Sequence, residues 1–463
     1  MKKILAALSA LTLLVTAAGC SSQESDSDSE IVFSDLGDVT HAETEAPVTL
    51  TDEQGAVVTD EDGNVVTSIP IVTPPPEESV TDAPSDSLPT VTTSAPKQTG
   101  GNSVTVSTSA PPVKETSVTP TQTTPPPVKI DPPTGGTVQP VPENATEIIL
   151  GSSVTINGEG ASADGSHVLI TKAGKYCITG KLTNGQIEVN SLDKVHLYFN
   201  NMSVTNSAGP AVLVTNAQRI KLTLMDGTIN SIEDGGTDKT NNGAFFTNDT
   251  LEVKGEGTLY IKGNNREGIA SDDDIIIESG NIYIQSFDDG LNANDDITIM
   301  GGYVYIAAGG DGIDSKGTTN IEGGTVIVAG TGSLESAVES DGIFTMTGGT
   351  FIGVGGAGLL KTPATSSAQY TALFKYQTMK SAGTLLRMVC GSSPLATFSP
   401  ASDYCALTIS SPSITANSQC TLFSGGTCTG SAKDGLYEGG TYSGGSDLGT
   451  FTVSSKVSGF NVQ

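Results

Sequence analysis

Tryptophan is absent from the 463 residues, and aromatic residues make up only 5% of them. Without Trp, a stacking platform of the cellulose-binding kind is weakened. Histidine occurs three times, as His41, His167 and His196, with no clustering and no Cys-x-x-Cys spacing, which argues against a zinc site. Positive charge is also scarce. Against 51 Asp and Glu stand 22 Lys and Arg, a formal net charge of −29, which argues against a nucleic-acid partner. Beyond residue 20 no apolar run is long enough to span a bilayer. Glycine, by contrast, occurs 55 times, and much of it is periodic.

Between Asn264 and Val354 one pattern is written four times: Gly268-Ile269-Ala270-Ser271, Gly290-Leu291-Asn292-Ala293, Gly312-Ile313-Asp314-Ser315 and Ala337-Val338-Glu339-Ser340. The first three copies begin 22 residues apart and the last follows after 25. A glycine stands twelve residues after each start (Gly280, Gly302, Gly324, Gly349), ahead of an alternating strand such as Ile282-Tyr283-Ile284 or Val304-Tyr305-Ile306. A fifth copy, Ala244-Phe245-Phe246-Thr247, precedes them. Leucine-rich repeats need a Leu consensus and an Asn ladder, both missing, and propeller blades run longer. Short strands stacked coil upon coil, with small aliphatics inward, fit an all-β, parallel β-helix. It is expected over residues 145–365, with the longer strands after Ala145 closing its first end. Residues 366–463 lose the period and predict a small C-terminal β cap over the last coil, whose strand edges would otherwise stay open.

Residues 1–20, with Lys2, Lys3 and a short apolar core, read as a secretory signal. Ala17-Ala18-Gly19-Cys20 is similar to a bacterial lipobox, which implies lipidation of Cys20 and a cell-surface location; ordinary signal cleavage is the alternative. Residues 21–144 read as a disordered acidic tether rich in Ser, Thr and Pro. Between residues 21 and 150 lie 18 of the 23 prolines and 21 Asp/Glu against three Lys, so most of the net charge describes the tether. Its reach is on the order of 60 Å. Export permits disulfides. Cys390, Cys405, Cys420 and Cys428 are the candidates: Cys420 could face Cys428 across Gly425-Gly426, leaving Cys390 for Cys405, although connectivity is not readable from spacing. Cys177 reads as a buried small hydrophobe.

Aligning the copies separates two kinds of side chain. Glu267, Asp289 and Asp311 form one column before the repeated glycine, and Asn292, Asp314 and Glu339 another after it. Strand stacking brings such neighbours to about 4.8 Å, where carboxylates repel unless protonated or bridged by a cation. Oxygen-only donors suit Ca²⁺; the alternative is that Asp and Asn are simply good corner residues. Gly309-Gly310-Asp311-Gly312-Ile313-Asp314 also matches the start of a Ca²⁺-binding nonapeptide, but Lys316 stands where an apolar residue is required, and tandem copies are lacking. Tyr260, Tyr283 and Tyr305 fall in an outward column, either a strip for stacking sugar rings or a ladder that another segment covers.

The succession Glu267-Gly268-Ile269-Ala270-Ser271, Asp288-Asp289-Gly290-Leu291, Asp311-Gly312-Ile313-Asp314-Ser315 and Gly323-Gly324-Thr325-Val326, followed by Asp434-Gly435-Leu436-Tyr437, resembles the carbohydrate-binding β-helix domain of bacterial surface lipoproteins. That family is similar to family 9 polysaccharide (pectate) lyases. The resemblance implies a right-handed parallel β-helix, bound Ca²⁺ and affinity for plant cell-wall polysaccharide: pectin or polygalacturonate, with cellulose a further candidate. The lyases' DDGxD calcium motif has two incomplete placements. Asp288-Asp289-Gly290-Leu291-Asn292 ends in Asn and has Glu267 in the preceding coil. Gly310-Asp311-Gly312-Ile313-Asp314 lacks its first Asp and has Asp289 in the preceding coil. A lyase also needs a base, and Lys316 and Arg266 alone adjoin these corners. The resulting expectation is a monomeric, lipid-anchored, Ca²⁺-dependent polysaccharide-binding protein. Two alternatives stay open: a Ca²⁺-dependent lyase using Lys316, and a surface adhesin or spacer that binds no glycan.

Overall fold

The computed structural model describes residues 130–463, apart from 237–239, 332, 333 and 359, together with an isolated antiparallel pair of two-residue strands, Val48–Thr49 and Thr67–Ser68. The signal segment, Cys20 and most of the expected tether lie outside the described residues. Among the described residues there are strands and no helices.

The alternation of apolar residues builds a parallel β-helix of about seven turns, each contributing one strand to each of three parallel ladders. The first ladder stacks Gln186–Asn190, Val212–Asn216, Gly243–Thr247, Glu267–Ser271, Leu291–Ala293, Ile313–Ser315 and Val338–Ser340. The second runs through the first half of Val195–Thr205, whose second half begins the third ladder, then Ile220–Leu224, Leu251–Gly255, Ile275–Ile277, Ile297–Ile299, Thr319–Ile321 and Phe344–Met346. The third runs through Ile229–Glu233, Thr258–Gly263, Asn281–Ser286, Tyr303–Ala308, Thr325–Ala329 and Thr350–Gly355. Because side chains alternate faces with period two, each ladder sends whole columns inward. Leu222, Val253, Ile277, Ile299, Ile321 and Met346 make one such column, all fully buried. No coil could bury its inner face alone, so stability comes from stacking.

The two repeated glycines have different physical roles. Gly302 and Gly324 hold left-handed φ values of 82° and 76° at the corner entering the third ladder. A methyl there would sit 2.5 and 2.4 Å from the carbonyl oxygen of the glycine one coil before. Gly268, Gly290 and Gly312 instead make room inside. A methyl on them would lie 2.2 Å from Ile284 Cγ2, 2.3 Å from Ile306 Cγ2 and 1.9 Å from Val328 Cγ1. The fourth copy has Ala337 at this position, and the residue aligned with Ile284, Ile306 and Val328 is Gly353. The added methyl and the lost side chain offset each other, which explains how the repeat tolerates the exchange.

Both ends are closed by antiparallel strands. Ala145–Leu150 pairs parallel with Gly174–Thr183 and antiparallel with Thr155–Asn157. At the far end Thr350–Gly355 pairs antiparallel with Tyr404–Ser410, which pairs with Thr371–Lys380. The C-terminal region has its own core around Phe374, Leu386, Tyr404, Leu407 and Leu422. It does more than cover the last coil: it also folds over the outer face of the third ladder. Residues 130–144, expected in the tether, lie against the helix as well: Ile130 is buried, Thr137 N donates to Gly227 O at 3.0 Å, and Gln139 N to Asn200 Oδ1 at 2.7 Å.

The expected cysteine pairing is overturned. Cys390 bonds to Cys420, the residues facing each other where Leu386–Cys390 runs antiparallel to Ser418–Ser424, with Cα atoms 4.0 Å apart. Gly425-Gly426 does not turn Cys428 back onto Cys420, because Ser446–Val453 occupies that edge and Cys428 pairs with Tyr442. Cys405 and Cys428 are free thiols, and Cys177 is buried.

Candidate functional site

Where the third ladder turns into the first, the acidic column stacks as the repeat predicts, but it is tied together by donors. Asp289 N donates to Glu267 Oε2 at 2.7 Å, Asp311 N to Asp289 Oδ1 at 2.9 Å, and Ser336 N to Asp311 Oδ1. Asn292 Nδ2 bridges Asp289 Oδ2 at 2.9 Å and Asp314 Oδ2 at 3.0 Å. Each carboxylate thus satisfies the amide of the following coil, a device repeated at another corner, where Asp296 N donates to Asp274 and Thr318 N to Asp296.

The column is nevertheless electrostatically loaded. Glu267 is 1% exposed, and burial, aided by Asp289 and Asp288, pushes its carboxyl up to about 8. Burial likewise raises Asp289 to about 6, with Asp288 and Asp314 adding repulsion. Asp311 is raised by burial and by Glu339 beside it. Glu267, Asp288 and Asp289 bring one carboxylate oxygen each within 4.8 Å of the others, the one such acidic cluster among the described residues. Three carboxylate oxygens gathered in this way are hard donors of the kind that suit Ca²⁺. Arg266 is a competitor: its Nε lies 3.0 Å from Asp288 Oδ2 and 3.5 Å from Glu267 Oε1.

The second placement of the motif is not assembled. Asp311 turns to Ser336, and Asp314 takes an ion pair from Lys316 Nζ at 2.7 Å. Asn292 reaches the cluster only through its bond to Asp289. Lys316, whose side chain sits beside Asp314, is held protonated, its pKa raised by that hydrogen bond, and Asp288 does the same for Arg266. Both candidate bases are thus paired with carboxylates.

The tyrosine column forms in register, Tyr260 opposite Tyr283 and Tyr283 opposite Tyr305. It is not an open strip. Tyr283 and Tyr305 are 7% and 3% exposed and pack with Ile130 and Ile327 beneath the C-terminal region; Tyr260 alone stays half-buried. The cover is a hairpin, Ser431–Lys433 and Leu436–Glu438, turning at Asp434 and Gly435 with φ of 51° and 80°, the two left-handed residues of a tight Asp-Gly turn. Its tip meets the ladder: Tyr303 OH donates to Asp434 Oδ2 at 2.8 Å, and Lys433 Nζ lies 3.6 Å from the Tyr303 ring centroid. Neither Tyr303 nor Lys433 carries a sequence signal for this contact, and Asp434 is marked only by its Asp-Gly pair. The Asp-Gly turn was visible, but where its tip docks depends on the tertiary fold.

The fold and these two features define a capped parallel β-helix with an acidic corner and an aromatic cleft. A family model described as carbohydrate-binding domain-containing protein matches residues 164–455, more than half of the sequence, and the chain belongs to that family. Over 139 residues it is 30% identical to a carbohydrate-binding domain-containing protein of Acetivibrio thermocellus, covering 28% of this chain and 49% of that protein. The chain thus spans about half the length of that relative. A solved structure, described as a polysaccharide lyase-like protein from C. thermocellum in a gadolinium derivative, aligns with a TM-score of 0.38 at 26% identity, covering 45% of this chain and 93% of that one.

Proposed function

We propose that this protein is a non-catalytic, Ca²⁺-dependent receptor for acidic plant cell-wall polysaccharide, held at the bacterial surface by a lipid on Cys20 and an extended acidic tether. The observation that carries the reading is the convergence of Glu267, Asp288 and Asp289 at one corner of a carbohydrate-binding fold. Residues 151–463 hold 30 Asp/Glu against 17 Lys/Arg, so a polyuronate meets net repulsion and needs a divalent bridge. The pairing of Lys316 and Arg266 with carboxylates supports binding over cleavage, since β-elimination at a uronate requires a base that can take the proton α to the carboxylate. Monomeric action is part of the same reading.

Affinity electrophoresis through polygalacturonate, with Ca²⁺ and with chelator, tests it. Retardation is expected only with Ca²⁺, and Glu267→Gln together with Asp289→Asn should abolish it. Retardation that ignores chelator would defeat the Ca²⁺ bridge. Unsaturated uronate products absorbing in the ultraviolet would establish a lyase instead.

A further inference from the structure

The tyrosine ladder and the hairpin that covers it do not close on each other completely. Between them lies a cleft of about 630 Å³, within the range of roughly 300–1,000 Å³ usual for small-molecule sites. We propose that this cleft is a second glycan subsite, for a neutral sugar residue, separate from the acidic corner. The proposal rests on the carbohydrate-binding reading and adds to it a location and a sugar class.

The floor is aromatic and rigid. Tyr260 and Tyr283 stack with centroids 4.7 Å apart and planes 8° from parallel; Tyr283 is fixed by burial while Tyr260 keeps accessible surface. Tyr260, stacked by Tyr283 on one side and beside the small Ser231 on the other, is a pre-ordered ring that a sugar can contact at little entropic cost. The walls are polar, with Asp131, Lys433, Asp434 and Ser399 lining the same space. Hydroxyl groups of a sugar can donate to the two carboxylates and accept from the ammonium.

The charges select against a uronate. Among the lining residues Asp131 and Asp434 face Lys433, which already sits over the Tyr303 ring. Asp131 is paired with Lys262 at 2.8 Å, and Asp434 accepts from Tyr303. An entering carboxylate would meet two carboxylates and find both ammonium groups, Lys262 and Lys433, already engaged, whereas a neutral pyranose or furanose brings only donors and acceptors.

The full chain should be titrated with neutral xylo-, manno- and cello-oligosaccharides in chelator, and with oligogalacturonate in Ca²⁺. With no Trp in the sequence, Tyr emission or calorimetry reads binding directly. At least one neutral series should bind regardless of chelator and weaken about tenfold or more in Tyr260→Ala. Ala432→Trp, on an exposed position of the hairpin that lines the cleft, should block the same series without testing the fold. Oligogalacturonate binding in Ca²⁺ should be unchanged in both variants. If no neutral series binds while oligogalacturonate does, or if both variants bind like the parent, the subsite is overturned and the acidic corner stands. Loss of every glycan from the parent chain would instead overturn the carbohydrate-binding reading.

Discussion

The Tyr303 hydroxyl donates to the Asp434 carboxylate at 2.8 Å, joining positions 131 residues apart and tying the C-terminal hairpin to the outer face of the β-helix. Tyr303→Phe should therefore loosen the hairpin while leaving the helix intact. A half-exposed bond of this kind contributes about 1 kcal/mol. Hydrogen exchange should speed up over residues 431–438 and stay unchanged in the inner columns; unchanged exchange in the hairpin would contradict the role given to the bond.

Gly312 and Val328 are complementary, as are Ala337 and Gly353. Gly312→Ala puts a methyl against Val328 and should cost about 1–3 kcal/mol. In the double variant with Val328→Gly the pair mimics the arrangement one coil later. A double-mutant cycle by urea unfolding should give a favourable coupling of about 1 kcal/mol or more. Strict additivity would mean that the volume exchange is not what the repeat tolerates.

Thr319 is buried in the column of Ile297 and Phe344, and its hydroxyl has no hydrogen-bond partner. Thr319→Val keeps the shape and removes a stranded polar atom, so it should stabilise by about 1 kcal/mol. Thermal melting reads the result, and a lower midpoint would count against it.

His196 is stacked on Tyr198 and shares its ladder column with Lys175 and Lys221. Burial first, then Lys254, Lys221 and Lys175, lowers its pKa from 6.5 to about 4. The folded state thus resists a proton that the unfolded chain accepts. Stability from the neutral ring is complete above pH 6.5 and is lost as pH falls to about 4, on the order of 2 kcal/mol after allowance for solvent. Melting profiles of the parent and His196→Gln should converge as pH drops through that window.

A Ca²⁺ ion held at the proposed corner would compete with Arg266 for Asp288. Arg266→Met should lower stability in chelator, because the cluster loses its positive neighbour, and should raise Ca²⁺ affinity several-fold. Calorimetry with Ca²⁺ alone checks this; equal affinities would place the ion elsewhere.

Much of the helix was legible because its signal is periodic. A glycine every coil and aliphatics at alternate positions leave one way to bury both, and the register of Tyr260, Tyr283 and Tyr305, or of Asn292, Asp314 and Glu339, follows from the same alignment. The disulfide was not legible. Cys390 and Cys420 meet across strands 30 residues apart in a region without a repeat, and spacing carries no information on which strands pair.

Local chemistry alone decided the stacked coils, the columns and the acidic corner, since period and side-chain volume specify a strand's inward face before any long-range contact forms. Only the folded whole decided whether those columns are surface or interior. Lys316 and Arg266 stand beside acids in the sequence, yet which carboxylate each one reaches is set by the fold. The tyrosines point outward from the helix by alternation, and they become the floor of a cleft because a hairpin more than a hundred residues later docks on them. Alternation sets the direction of a side chain; what lies opposite it is a property of the tertiary structure.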